Sequence, residues 1–455
     1  MFRKVFISKR GVILSNNKEN AGINISVKSF ITAIVVIFAL MVLTYGLTFV
    51  IPGGGIPFWK WALSPILVLG AEGNVSLIAV IVFLLVIGGV FNCLDKCGLM
   101  QYMLDTITNR FGKDRYKLLA FITLFFMAMG SMIGSFEEAV PMVPIVVALA
   151  VRLGWDPLVG LGMSILAMGC GFSAGVCNPF TVGVAQELAG LPMFSGVWFR
   201  LIGFVLVYAL LLGFLYFYAK KIERPIEADS FKHAFIYDEK MARGLKCFAG
   251  IMLGGILLVL SSVVLTFLQD ITMIIVAITF LIAGIISVLQ TGRGGNIAKT
   301  FFNGVGSVFA AVFMILMANS IKYTMVEGNI LAPILQGMVD TASSLPGWSV
   351  ILFIYLIVLV MNFFIASGSA KAFLLMPLII PIAETFGISA QLCIVAFAFG
   401  DGFSNVLYPT NPVLLISLGL ADVDYGRWFK WSWKFQFMNL LLTSVLLLFG
   451  LVIGY

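Results

Sequence analysis

The chain is expected to be an all-α polytopic membrane protein of two inverted-topology repeats, each with a re-entrant helical hairpin and a broken transmembrane helix. Three observations predict this. Of 455 residues, 61% are hydrophobic and 11% charged, with a mean hydropathy of +1.08, whereas an ordinary soluble chain is roughly 25% charged. Apolar runs close to the roughly 20 residues that span a bilayer begin at about 29, 75, 157, 198, 247, 271, 300 and 435. Finally, two apolar stretches are broken by short polar tips, GSMIGSFEEAVP at 130 to 141 and IASGSAKAFLLMP at 365 to 377. Each tip is followed by a second interruption, CNPFT at 177 to 181 and SNVLYPTNP at 404 to 412. Backbone that leaves the helix at membrane depth must be enclosed by protein or line a watery cavity. Paired interruptions in corresponding positions of two halves point to a binding site.

Topology follows from the basic residues. Arg3, Lys4, Lys9, Arg10, Lys18 and Lys28 precede the first span, which places the N-terminus in the cytoplasm. No cleavable leader is evident in this polar start. Alternating the spans from there puts the 28 Lys and Arg on the cytoplasmic side, except Lys60, Arg200 and Lys322 outside and Lys371 within the membrane. The formal charge of +7 therefore reads as positive-inside bias, and no nucleic-acid partner is expected. A multi-pass protein of the cell (inner) membrane is the expected location.

A polar insertion divides the chain. The expected parts are a basic cytoplasmic tail at 1–28, a first repeat half at 29–219, a cytoplasmic linker at 220–246 and a second half at 247–455. The first hairpin starts after Arg115 and Lys117 and returns to Arg152, so both its ends are cytoplasmic; by the same alternation the second starts and ends outside. Gly154 and Gly387 follow the two hairpins, and each is separated from its Asn-Pro pair, Asn178-Pro179 and Asn411-Pro412, by the same spacing. GFS triplets at 171 to 173 and 402 to 404 suggest a register differing by two. Opposed hairpins are what an inverted repeat predicts under either alignment.

Several chemistries are excluded. Cys93, Cys97, Cys170, Cys177, Cys247 and Cys393 form no CxxC pair, and His233 lies in a charged cytoplasmic loop. Neither a zinc site nor a histidine proton relay fits that inventory. No phosphate loop with Gly-Lys-Ser/Thr is present. Enzymatic function is not expected, and no cofactor is called for.

What remains is polar chemistry at the tips and breaks. Glu137 and Glu138 sit at the first tip, where a buried carboxylate needs a cavity or a partner, or where it can cap a returning helix. Lys371 can bind a substrate carboxylate, or neutralise Glu137, Glu138 or Asp401. The serines at the tips, Ser131 and Ser135 in the first and Ser367 and Ser369 in the second, resemble the starts of half-helices, whose free N–H groups attract anions. Asp401, before Gly402 and Phe403, is a candidate proton or cation site. Asn178, Thr181, Asn405, Thr410 and Asn411 supply neutral oxygens beside prolines that free backbone carbonyls. Such oxygens suit Na⁺, with a candidate site near Asn178 and Asn411, or a zwitterion. Trp348, Trp428, Trp431 and Trp433 read as interfacial anchors, and the amphipathic stretch from 95 to 117 reads as an interfacial helix.

The residues FEEAV at 136 to 140, VRLGWD at 151 to 156, NPF at 178 to 180 and VAQELAGLP at 184 to 192 resemble those of YfcC-like membrane proteins. So do SGS at 367 to 369 and FGDGFSNVLYPT at 399 to 410. These proteins are related to anaerobic C4-dicarboxylate carriers and to arginine/ornithine antiporters of the ion transporter superfamily. The resemblance extends from about residue 78 to 435 and implies an alternating-access carrier, often a homodimer. It implies Ser135, Glu137, Asn178, Ser367, Ser369, Asp401 and Thr410 as participants. The acids Glu137, Glu138 and Asp401 set against Lys371 suggest a secondary active transporter of a small amino acid, such as a basic one taken by exchange, or of a related carboxylate. The alternative is a C4-dicarboxylate or organic anion driven by Na⁺ or H⁺.

Overall fold

The structure, a computed structural model, describes residues 27–71, 75–111, 114–133, 136–192, 194–224, 237–261, 272–365 and 367–455. Most of the basic tail, His233 and the tip residue Ser135 lie outside the described residues. Among those described, every regular element is helical. Seven helices among the described residues are long and apolar enough to cross a membrane, or up to eight if one bent pair counts as a span.

The first described helices are α1 (Val27–Val50), the short α2 (Phe58–Ala62) and α3 (Ser64–Leu67), and α4 (Val75–Lys96). Next comes α5 (Leu99–Phe111), which turns 76° away from α4 within the amphipathic stretch. The first break-bearing series is α6 (Arg115–Ile133), a 3₁₀ turn (Glu137–Met142), α7 (Val143–Arg152), α8 (Pro157–Leu161) and α9 (Ala167–Ala174). A π turn (Pro179–Gly183), α10 (Val184–Leu188) and the long α11 (Val197–Ile222) complete it. Between the two series lie α12 (Glu239–Ser261), α13 (Thr272–Thr291), α14 (Ile297–Ser307), α15 (Phe309–Glu327) and α16 (Leu331–Ser343). The second series is α17 (Gly347–Phe364), α18 (Gly368–Thr385), α19 (Ala390–Asn405), α20 (Pro412–Leu420) and α21 (Tyr425–Val452).

Local chemistry sets these boundaries. Gly154 and Gly387 take φ of +87° and +70°, a region that glycine enters without a Cβ clash. Two residues later a capping side chain restarts the helix. Asp156 accepts from the Val159 N–H at 3.3 Å, and Ser389 from the Leu392 N–H at 3.1 Å. Asn411 caps α20 by accepting from Val413 N–H at 2.9 Å, and Pro412 follows at the first helical position, where its missing N–H costs nothing.

Both series turn back on themselves. Arg115, at the start of α6, donates to the Leu153 carbonyl at 3.1 Å, just past the end of α7. Gly347, at the start of α17, lies against Phe386, just past the end of α18. The 26 residues of α11 measure about 39 Å at 1.5 Å per residue and separate these two points. At the C-terminal end of α11, Glu223 pairs with Arg115 at 2.6 Å and Arg224 N–H donates to the Gly154 carbonyl at 2.9 Å. Toward its N-terminal end, Gln391 donates to Ser195 and Tyr455 donates to the Gly196 carbonyl at 2.5 Å. The two hairpins thus have their open ends at opposite ends of α11.

The main buried cluster draws on both series. A smaller cluster, containing Phe83, Phe91, Met241 and Phe280, joins α4 to α12 and α13. The tryptophans divide. Trp348 and Trp433 are exposed as anchors would be, but Trp428 is fully buried and its Nε1–H donates to the Val406 carbonyl at 2.7 Å. Trp431 is buried against Phe214, Tyr218 and Trp428. The anchoring role expected of Trp428 and Trp431 is corrected: packing within the protein, not the bilayer surface, holds them.

Candidate functional site

The two breaks meet. Gly402 of α19 sits on α9 so closely that a Cβ there would fall 2.2 Å from Ser173 Oγ and 2.7 Å from Phe172 Cδ1. The two GFS triplets therefore cross face to face. Each hairpin's outgoing helix ties down the break of its own series. Ser131, near the end of α6, accepts from Val176 N–H through Oγ at 2.9 Å and from Cys177 N–H through its carbonyl at 3.1 Å. Near the end of α17, Asn362 Nδ2 lies 2.7 Å from the Asp401 carbonyl, 2.6 Å from Ser404 Oγ and 3.0 Å from Asn405 Oδ1. The returning helices also reach across to the other series. α18 packs on α10 and on the π turn after the first break, and α7 packs on α20 after the second.

Lys371 lies at this crossing. Its side chain is wholly buried, and Nζ is held by the Asp401 carboxylate and by Asn362 Oδ1. Of the partners the sequence allowed for Lys371, the geometry shows Asp401. A buried ion pair is not by itself strongly stabilising, because desolvation offsets the attraction, but removing one partner strands a charge. Asn405 extends the network through Oδ1, which accepts from Asn411 Nδ2 at 3.1 Å.

The second tip reaches into the same place. A Cβ at Gly368 would fall 2.6 Å from Asp401 Oδ2 and 2.6 Å from Thr181 Cγ2, so only glycine brings this backbone so near both breaks. Asp401 Oδ2 and Thr181 Oγ1 are buried without a hydrogen-bond partner. So is Thr410 Oγ1. Buried polar groups are nearly always paired, and an orphan is a reason to look for a ligand or water.

The remaining expected residues are placed as follows. Ser367 caps α18, accepting from Ala370 N–H at 3.5 Å, and is exposed; Ser369 is half-buried in the first turn. Asn178 Oδ1 accepts from Thr181 N–H at 3.2 Å, as Asn411 Oδ1 accepts from Val413 and Leu414. Both carbonyl oxygens near the expected Na⁺ position thus serve as caps. The backbone of Glu137 and Glu138 forms the 3₁₀ turn; their side chains, like Ser135, lie outside what is described.

Three contributors were not singled out as site residues. Asn362 is the hub, signalled only by a lone polar residue in the apolar run VLVMNFFI at 358 to 365. Trp428 satisfies the carbonyl of Val406, within the second break. Arg200 is fully buried and donates to the carbonyls of Ser195 at 2.9 Å, Val176 at 3.2 Å and Phe194 at 3.3 Å. The sequence placed Arg200 in an outer segment and gave no sign that its side chain is buried.

Among the described residues the fold is all-helical and multi-pass, and its interrupted helices cross at a buried polar centre, an arrangement that suits a membrane transporter. Residues 62–452 match the C4-dicarboxylate anaerobic carrier family, DcuC, and the chain belongs to it. It is 29% identical over 398 residues, 83% of this chain and 78% of the other, to YfcC of Escherichia coli (strain K12), provisionally named a basic amino acid antiporter. An uncharacterized protein of Haemophilus influenzae (strain ATCC 51907 / DSM 11121 / KW20 / Rd) is 25% identical over 401 residues, 83% of this chain and 76% of that one. Among solved structures, the YdaH transporter of Alcanivorax borkumensis, described as having an unusual topology, aligns at 18% identity and a TM-score of 0.46, covering 93% of this chain and 99% of that one. The similarity to YfcC-like transporters anticipated from the motifs is therefore shown.

Proposed function

We propose that the protein is a secondary active transporter that exchanges small amino acids, basic ones such as arginine or ornithine in particular, by alternating access. The observation that carries this reading is the division of labour at Asp401. One carboxylate oxygen is taken by Lys371, while the other, with Thr181 Oγ1, stands unpartnered beside the Gly368 tip. The complement of two buried oxygens is a donor, such as a substrate ammonium. The N–H groups at the start of α18, around Ser367 and Ser369, suit the substrate carboxylate. Lys371 is engaged by Asp401 and Asn362, which disfavours it as the direct ligand of a substrate anion.

The opposed hairpins support two inverted repeats that rock about the central site. Basic residues gather at one end of α11, where Lys220, Lys221, Arg224, Arg115 and Arg427 lie. We take that end as cytoplasmic, in the cell (inner) membrane of the organism, with homodimerisation as the assembly the family suggests.

A second reading, transport of a C4-dicarboxylate coupled to Na⁺ or H⁺, is favoured by the family's own description. Uptake of labelled arginine, ornithine, aspartate and succinate into proteoliposomes, with and without internal substrate and with Na⁺ or pH gradients, separates the two. Arginine uptake that requires internal amino acid supports exchange. Succinate uptake driven by an ion gradient overturns it.

A further inference from the structure

Lys371 stands against local helix rules. It lies in the first turn of α18, the end at which the helix dipole opposes a cation, and its ammonium is entirely buried. A residue that breaks a local rule at such a place is expected to serve function. The oxygens around Nζ come from two other segments, a carboxylate of α19 and a side-chain carbonyl of α17. Carboxylate and carbonyl oxygens beside an interrupted helix are the donors a hard cation takes in transporters of this architecture. Through Asn362 the same centre reaches the Asp401 carbonyl, Ser404 and Asn405, and through Asn405 it reaches Asn411. The ammonium therefore ties the second hairpin to the second break, as a bound ion would.

We propose that the Lys371 ammonium is a tethered cation that occupies the seat of a coupling ion, between Asp401 and Asn362, so that transport by this protein requires no Na⁺. The proposal deepens the exchange reading and, for its transport consequence, rests on it. In exchange the charge in the seat never leaves the protein, which a covalently held cation guarantees.

The test is thermal melting of the purified full-length protein in NaCl, LiCl, choline chloride and ethylammonium chloride at one ionic strength. The unaltered protein is expected to melt alike in all four. Lys371→Ala is expected to melt lower in choline and to recover selectively in Na⁺, Li⁺ or ethylammonium, the last matching the deleted side-chain end. If Lys371→Ala yields folded protein only when purified in one of those cations, that result also supports the proposal. The double variant Lys371→Ala/Asp401→Asn removes the seat's charge and is expected to ignore all four salts. A Na⁺-dependent rise in melting of the unaltered protein overturns the proposal. So does Lys371→Ala that is indifferent to every cation or unfolded in all of them, or a double variant that responds as the single one does. Melting does not depend on substrate identity, so a cation-rescued Lys371→Ala together with absent arginine exchange would overturn the substrate reading alone.

Discussion

Gly402 lies against Ser173 with no room for a methyl group: a Cβ would fall 2.2 Å from the hydroxyl and 2.7 Å from the Ser173 backbone nitrogen. Because the nearest atoms include backbone, the contact cannot be relieved by a rotamer change alone. Gly402→Ala is expected to push α9 and α19 apart at the centre of the molecule. Overpacking of this kind costs about 1–3 kcal/mol. The expected outcome is a lower melting temperature in detergent and loss of uptake.

Gly368 makes the corresponding approach from the second tip. A methyl group there would meet Asp401 Oδ2 and Thr181 Cγ2 at 2.6 Å, filling the space between the two unpartnered oxygens and the tip. Gly368→Ala is expected to weaken substrate binding more than it lowers melting temperature. Binding measured by calorimetry beside a melting curve checks this; unchanged affinity would remove the tip from the site.

The pair of Lys371 and Asp401 is wholly buried. Lys371→Gln or Asp401→Asn alone leaves an uncompensated charge, with an expected loss of about 3–5 kcal/mol. Combining the two removes both charges and is expected to recover most of the stability but not transport. Denaturation of the three variants in detergent reads the first effect, and uptake into proteoliposomes the second. Additive losses in the double variant would show that the two side chains do not act as a pair.

Trp428 donates to the Val406 carbonyl at 2.7 Å in a fully buried position. Trp428→Phe keeps most of the ring volume and leaves that carbonyl without this donor, which costs about 1–3 kcal/mol. Faster hydrogen exchange around 404 to 412 is expected, with no change in exchange around 176 to 181. Equal loosening of both breaks would show that Trp428 acts on the core as a whole.

Arg200 holds carbonyls of Ser195, Val176 and Phe194. Arg200→Gln is expected to lower both stability and uptake, because three part-buried carbonyls lose a donor at once. Arg200→Lys is expected to recover only part, since one ammonium cannot reproduce the planar fork. Melting and initial-rate uptake of the two variants check the order.

Much of this was legible in the sequence, for a physical reason. Hydrocarbon admits only backbone that satisfies its own hydrogen bonds, so long apolar runs had to be helices and polar tips within them had to mark breaks. Local residue chemistry then set the helix starts: Asp156, Ser389 and Asn411 cap within a few residues of themselves. The same logic singled out Lys371 and Asp401, since a charge in an apolar run needs a reason. What tertiary structure alone decided is which groups meet. Asn362 is 39 residues from Asp401, and nothing in a lone asparagine predicts that it organises the second break. Arg200 was expected in an outer segment, and position along the chain does not report that its side chain is buried. Trp428 looked like an anchor because an interfacial and a buried tryptophan have the same neighbours in sequence. The sequence determined the elements and where they fail, because those depend on neighbours along the chain. The crossing of the two GFS triplets and the pairing of Lys371 depend on contacts between distant segments, which only packing in three dimensions selects.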